Sequence, residues 1–401
     1  MARKRHLFFR RILSFLRLIK SRLASWLSKK IAYLSLLLSL FVLSSFLPVI
    51  AQETVSQNSS SATILIKQAE FNYNLGEYQQ AAELLKQATN ELENNPQLQA
   101  IALTNLSLVY QQQGKWQLAQ TAINESLAIL QQDTKNNLVL LARAWEVQGK
   151  LQLAIGKASE AITSWQKAIA NYEKIEDKQS EIRTQIHLTV ALQELGLYRE
   201  AFKQLTTIKP EEIEANLVLG AWLQNLGNIV RVVGNVNEIE SISPTNICQL
   251  KEKESTDYLK ISACLLKYSL ETSNSPQLKA EVSLDLGNTY TAMYQRAKDA
   301  FERAVTPSNQ LNKQWKFIKK AIKYYEKAEN TTNLLLTRLQ AQINQLSLLI
   351  DFQPQLAKIE DELLRQEATN SIHRQIEQIP DIFAKINNLS ISKSAIFTRI
   401  N

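Results

Sequence analysis

Glycine is scarce in this chain, and where it occurs it is periodic. Of nine glycines, eight fall into two repeating slots. Gly76, Gly114, Gly156, Gly196 and Gly234 follow one another at intervals of 38, 42, 40 and 38 residues. Gly149, Gly227 and Gly287 occupy a second slot, the first two lying seven residues ahead of Gly156 and Gly234. Gly220 stands outside both. Self-similarity with a period near forty residues dictates a stacked array of short units, each burying its apolar face against its neighbours.

The units are helical. Glycine and proline number only nine and eight in 401 residues, and Leu, Ala, Gln, Glu and Lys, all good helix formers, dominate. No alternating apolar–polar run is long enough to build a sheet. The expected fold class is all-α.

Residues 103–126 show the grammar of one unit. Leu103, Leu106 and Tyr110 share one face of a first helix, with small Ser107 beside Leu106. Gly114 ends that helix in a left-handed turn. Trp116 opens a second helix, whose buried face is marked by Ala119, Ile123 and Ser126. Gly76 is likewise followed by Tyr78, Ala81, Leu85 and Ala88; Gly156 by Ala158, Ala161, Trp165 and Ala168; Gly196 by Tyr198, Ala201 and Leu205. These residues resemble the tetratricopeptide repeat (TPR), in which a first helix carrying Leu-Gly and Tyr precedes a second carrying spaced alanines. The resemblance implies a right-handed solenoid of antiparallel helix pairs, regular over residues 62–239.

Beyond Gly234 the period slips. Residues 240–256 read as an insertion, and the second helix is delayed to Asp257–Leu270. Residues 257–370 read as degenerate repeats: a long helix Pro276–Val305, a second helix over 311–329 with Ala321, Tyr325 and Ala328 in the packing slots, a first helix Thr331–Phe352 and its partner Gln355–Glu367. Residues 371–401 read as an incomplete repeat, with a weak helical segment over 371–388 and a helix begun at Ser392 without a closing cap. That ending suggests a truncated or split reading frame.

The net charge of +8 is carried by the N-terminus. Ten Lys and Arg fall within the first 30 residues, and no Asp or Glu precedes Glu53, which leaves the remainder slightly acidic. The body has no global attraction for nucleic acid. Residues 1–30 form a basic cytoplasmic region, and 31–50 an uncharged run long enough to span a bilayer. The basic flank stays in the cytoplasm and directs the body outward. Val49-Ile50-Ala51 offers a cleavage site, so residues 31–51 are either a signal-peptide core or a retained transmembrane anchor. Residues 52–61 are a polar linker. Either way the body is expected outside the cytoplasm, membrane-bound only if the leader is uncleaved.

An export leader, repeats of about forty residues and the runs Leu286–Tyr290, Ala321–Glu329 and Ala341–Leu349 together resemble the N-terminal half of cyanobacterial TPR proteins that end in a caspase-like CHAT domain. The catalytic module of that family has no counterpart within these residues. The resemblance therefore implies partner binding, with a substrate-recruiting or regulatory half of a split protease as the alternative.

Chemistry-bearing constellations are sparse. The three histidines, His6, His187 and His373, are scattered, and a lone helical His such as His187 is ordinarily packed or solvated. No His/Cys cluster supplies a metal site, and no glycine-rich phosphate loop is present. No catalytic, cofactor-binding or metal-ligating residue is assigned. Cys248 and Cys264 could close a disulfide in an oxidising compartment, or else be a loop thiol and a small core side chain. Helix geometry places Tyr73, Gln111, Arg143, Glu146, Lys150, Arg183, Asn225, Asn228, Arg231 and Asn288 along the outward face of the first helices. The mixture suits an extended peptide or partner helix, and Arg143, Lys150 and Arg183 suit an acidic or carboxylate-bearing ligand. The expectation is a non-enzymatic protein-binding scaffold.

Overall fold

The structure is a computed structural model that describes residues 57–387, apart from 93, 235–247, 249–256, 303–307 and 332–334. All described residues belong to the compact unit Gln57–Asn401. The leader and its cleavage site lie outside them, as do most of the insertion and Ser392–Asn401. Among the described residues there is no strand, and no helix is long and apolar enough to cross a membrane.

Helices pair along the chain. The first four pairs are α1 (Gln57–Asn74) with α2 (Tyr78–Glu91), α3 (Pro96–Gln112) with α4 (Trp116–Leu130), α5 (Leu138–Ala154) with α6 (Ala158–Lys174), and α7 (Lys178–Glu194) with α8 (Tyr198–Thr206). Next, α9 (Asn216–Val233) packs on α10 (Tyr258–Thr272), so a pair is completed across the expected insertion. Then α11 (Pro276–Glu302) packs on α12 (Ser308–Thr331), and α13 (Leu335–Phe352) on α14 (Glu362–Ile376), followed by α15 (Ile379–Asn387). Each second helix also packs on the next first helix, and first helices touch one another at α1–α3, α3–α5, α7–α9, α9–α11 and α11–α13.

The first-slot glycines close the turns. All five adopt positive φ, between 66° and 81°. At Gly156 the amide donates to Leu153 O, and Lys157 N donates to Gln152 O at 2.7 Å, a pairing that caps the end of α5. The turn between α6 and α7 does the same without glycine: Glu176 takes φ 58°, and Asp177 N reaches Tyr172 O at 3.0 Å. Asp177 then caps α7 by accepting from Ser180 N at 3.0 Å.

The second slot is a matter of space. A Cβ on Gly149 would lie 2.5 Å from the Trp165 indole nitrogen, and one on Gly287 would run into the Tyr325 ring. In the same register the other first helices carry Ala69, Ser107, Thr189 and Gly227, each small or slim, while the middle slots of the second helices carry Leu85, Ile123, Leu205 and Leu266. The flanking slots Ala81/Ala88, Ala119/Ser126, Ala161/Ala168 and Ala321/Ala328 are fully buried. In α10 the same 4–3 spacing is filled by Ser262, Leu266 and Ser269, all buried. The Ser262 hydroxyl bonds with that of Thr289 on α11 at 3.3 Å, and Ser269 donates across the pair to Gly220 O at 2.7 Å. Ser126 does likewise to Ala100 O at 2.8 Å.

Two expected elements are displaced. The partner of α13 does not run over Gln355–Glu367. Pro354 opens a 3-10 turn, Gln353–Lys358, and Ile359 is extended and buried. The α-helix starts only after Asp361, whose side chain accepts from Leu364 N at 3.1 Å. The weak segment 371–388 is accordingly divided between the end of α14 and α15. Cys248 and Cys264 are joined by a disulfide that ties residue 248 to the middle of α10.

Candidate functional site

The first helices present a row of half-buried polar side chains. Its densest part gathers around Glu146 on α5. Lys150, one turn further along α5, places its ammonium 3.0 Å from Oε1. Arg183 on α7 donates to Oε2 at 3.2 Å and to Oε1 at 3.4 Å. The Tyr172 hydroxyl, on α6, donates to Oε2 at 3.1 Å. His187, one turn beyond Arg183, sits 3.9 Å from Oε1 with its ring stacked on Trp165. The Trp165 indole N–H donates to the backbone carbonyl of Glu146 at 3.1 Å, which fixes the floor of the cluster.

Sequence spacing places Glu146 on the outward face, but the structure buries it to 4% exposure. A carboxylate can be kept there because each oxygen has charged or hydrogen-bonding partners. Burial works against its ionisation, yet Lys150 and Arg183 outweigh that and hold it far below the ordinary carboxylate range. Burial, and next the Glu146 charge, push the Tyr172 phenol up. Burial and the Lys150 ammonium push the His187 imidazole down to about 3. At pH 7 this leaves Glu146 ionised, Tyr172 protonated and His187 neutral.

Its outer surface is suited to binding. Lys150 and Arg183 keep 37% and 39% of their side-chain surface exposed. Half-buried Arg143 precedes Glu146 by one turn, and its charge is felt by Glu70 on α1. Arg143, Lys150 and Arg183 thus lie among three carboxylates, Glu70, Glu146 and Asp177, with Lys150 and Arg183 still part-exposed. Arg183 has spare N–H groups after its bonds to Glu146 and Ser180.

The remaining row bonds largely within itself, although Arg231 Nε is buried without a hydrogen-bond partner. Gln193 on α7 donates to Asn225 Oδ1 on α9 at 3.0 Å. Gln224 on α9 donates to Asp285 on α11 at 2.7 Å, and Asn228 also bonds to that carboxylate. Arg231 donates to Asn228 Oδ1 at 3.3 Å. Burial pushes the Asp285 carboxyl up, with Arg231 opposing. Asn288 Oδ1 accepts from the Tyr325 hydroxyl at 2.9 Å and from Asn344 on α13 at 2.8 Å. Tyr73 and Gln111 stand apart: Tyr73 packs edge-on to Tyr78 at the α1–α2 turn, and Gln111 reaches Val147 O at 3.5 Å.

The structure therefore brings Glu146, Lys150 and Arg183 into one cluster, and Asn228 and Arg231 into another with Asp285. Sequence reasoning passed over Tyr172, Asp285, Gln193, Gln224 and Asn344, and took His187 as isolated. Asp285 was within reach, because it precedes Gly287 as Asn225 precedes Gly227. Among the described residues, no group of three His, Cys, Asp or Glu is placed to hold a metal ion.

Comparison with known proteins bears on the scaffold. A tetratricopeptide-repeat family model matches residues 60–132, which make up nearly all of α1–α4. No curated protein matches the chain. Similar solved structures include TPR-like repeats assigned to a kinesin light chain of Podosopora anserina, 17% identical, covering 55% of this chain and 100% of that one at TM-score 0.42. The apo form of RapI is 12% identical, covering 80% of this chain and 99% of that one at TM-score 0.48. A tetratricopeptide-repeat protein from Parabacteroides merdae is 18% identical, covering 71% and 99% at TM-score 0.39.

Proposed function

We propose that this chain is a non-enzymatic interaction scaffold, carried across the cytoplasmic membrane by its leader, which holds an acidic extended segment of a partner protein along its first helices. Stacked helix pairs supply such elongated binding surfaces. The observation that carries the reading is the Glu146 cluster, where a buried carboxylate pins Lys150 and Arg183 while both keep exposed donors. A preorganised cation pair binds a carboxylate with less ordering cost than free surface lysines do. The disulfide between Cys248 and Cys264 supports placement in an oxidising compartment.

Calorimetric titration with acidic peptides, bearing a free or an amidated C-terminus, tests the reading. Arg143→Gln and Lys150→Gln leave Glu146 its Arg183 partner, so the fold persists. Each should weaken binding about tenfold, the loss of one charge-assisted contact. Equal affinity of wild type and both variants would overturn the proposal.

A further inference from the structure

Helix α12 carries a second, separate charge feature. Lys313, Lys316, Lys320, Lys323 and Lys327 recur at alternating steps of three and four, which puts all five on one face. All five are exposed, whereas Trp315, Ile318, Ala321, Tyr325 and Ala328 fill the opposite face. The row extends along about 21 Å of helix. Both acids of the helix are turned away and engaged: Glu326 by Arg374 of α14 at 3.2 Å, and Glu329 by Gln342 of α13 at 2.6 Å. Among the described residues none of the five lysines is ion-paired, while neighbouring Lys319 is, with Glu367. Lys320 lies 5.1 Å over the Tyr290 ring of α11; otherwise like charges at these spacings destabilise a helix rather than support it.

We infer that this lysine row is a docking surface for an anionic lipid bilayer. Its charges are in single file on the outside of one helix, and diffuse headgroup charge requires no shaped pocket to meet them. Half-buried Phe317 and Tyr324 border the row, and Tyr324 stacks on Tyr290 at 5.6 Å, so the edge of the lysine face is aromatic, as in interfacial helices. The choice of a bilayer over another polyanion rests on the proposed export, in which residues 31–50 take the chain to a membrane and, if retained, hold it there at high effective concentration.

The test is lysine acylation footprinting of the full chain, read residue by residue by mass spectrometry. It is run alone, with phosphatidylcholine vesicles, with vesicles of phosphatidylcholine and phosphatidylglycerol in equal parts, and with polyglutamate. The five lysines should label roughly fivefold more slowly on the anionic vesicles only, with exposed Lys174 as an unprotected reference. In K316Q/K320Q/K323Q, protection of Lys313 and Lys327 should disappear. Equal labelling with and without anionic vesicles would overturn the inference, as would protection by polyglutamate but not by vesicles. The readout is made on purified protein, so it is independent of whether the chain is exported in cells; fractionation and N-terminal sequencing decide that separately.

Discussion

The indole of Trp165 lies against the bare Cα of Gly149, and its N–H is held by the carbonyl of Glu146 at 3.1 Å. One contact thus joins the repeat's packing to its polar site. A methyl at residue 149 would come within 2.5 Å of a ring that cannot retreat without losing its hydrogen bond. Helix propensity favours Gly149→Ala by about 1 kcal/mol, but overpacking costs about 1–3 kcal/mol. Chemical denaturation should show a net loss of about 1 kcal/mol, and Trp165→Leu should relieve it in the double variant. A stabilised Gly149→Ala would contradict this packing.

Glu176 is the non-glycine residue with positive φ among the described residues. A left-handed backbone costs an L-residue about 1–2 kcal/mol, part of which glycine returns through its looser unfolded state. Glu176→Gly should therefore raise the unfolding free energy by about 0.5–1 kcal/mol. Gly196→Ala, at φ 74° with open space around it, should lower it by about 1 kcal/mol from backbone strain alone. Paired denaturation curves check both signs.

Acid should weaken the fold in two stages. Burial and Lys150 depress His187 from its ordinary 6.5 to about 3, so its contribution is complete above pH 6.5 and is lost as pH falls toward 3. Glu146, depressed from 4.5, contributes fully above that value and loses its share at lower pH. The His187 side chain is 35% exposed, so its limb should be the shallower one. His187→Phe should remove the upper limb of the stability–pH curve. Glu146→Gln should cost about 1–2 kcal/mol at pH 7, because the Lys150 and Arg183 charges it leaves are more than a third exposed to solvent, and flatten the lower limb.

The disulfide closes a short span, with Cys248 and Cys264 separated by 16 residues. Chain-entropy arguments give it about 3 kcal/mol. Thermal unfolding of wild type under reductant should match that of Cys264→Ser, and both should fall below the oxidised protein. Identical midpoints with and without reductant would count against a stabilising bond.

The physics of each residue type decides how much of this molecule is legible in its sequence. Gly76 to Gly234 were legible because a left-handed turn admits few other residues, and scarce glycines make their spacing conspicuous. Ala161, Trp165 and Ala168 were legible because small and large residues alternate at helical spacing. The equivalent Ser262–Leu266–Ser269 slot was not read, since serine registers as polar unless its acceptor across the pair is known. Asp361 was overlooked as a cap because the apolar pattern of Gln355–Glu367 could be continued through it. At the candidate site, Lys150 and Arg183 could be placed on one face, but the burial of Glu146 depends on Tyr172 and His187 arriving from two other helices. No local pattern encodes that meeting. The α12 lysine row is plain in the spacing of Lys313 to Lys327 but vanishes in a charge balance summed over the whole body.

If the face formed by α5 and α7 receives an anionic partner segment, a ligand bound there must lie beside its cations. An acidic peptide carrying a photoreactive side chain next to its C-terminal carboxylate tests this most directly, with the cross-linked residues identified by mass spectrometry. The cluster geometry predicts attachment within Arg143–Lys150 and Arg183–His187, abolished by Arg143→Gln together with Lys150→Gln. Attachment confined to the second helices, or unchanged in that variant, would contradict it.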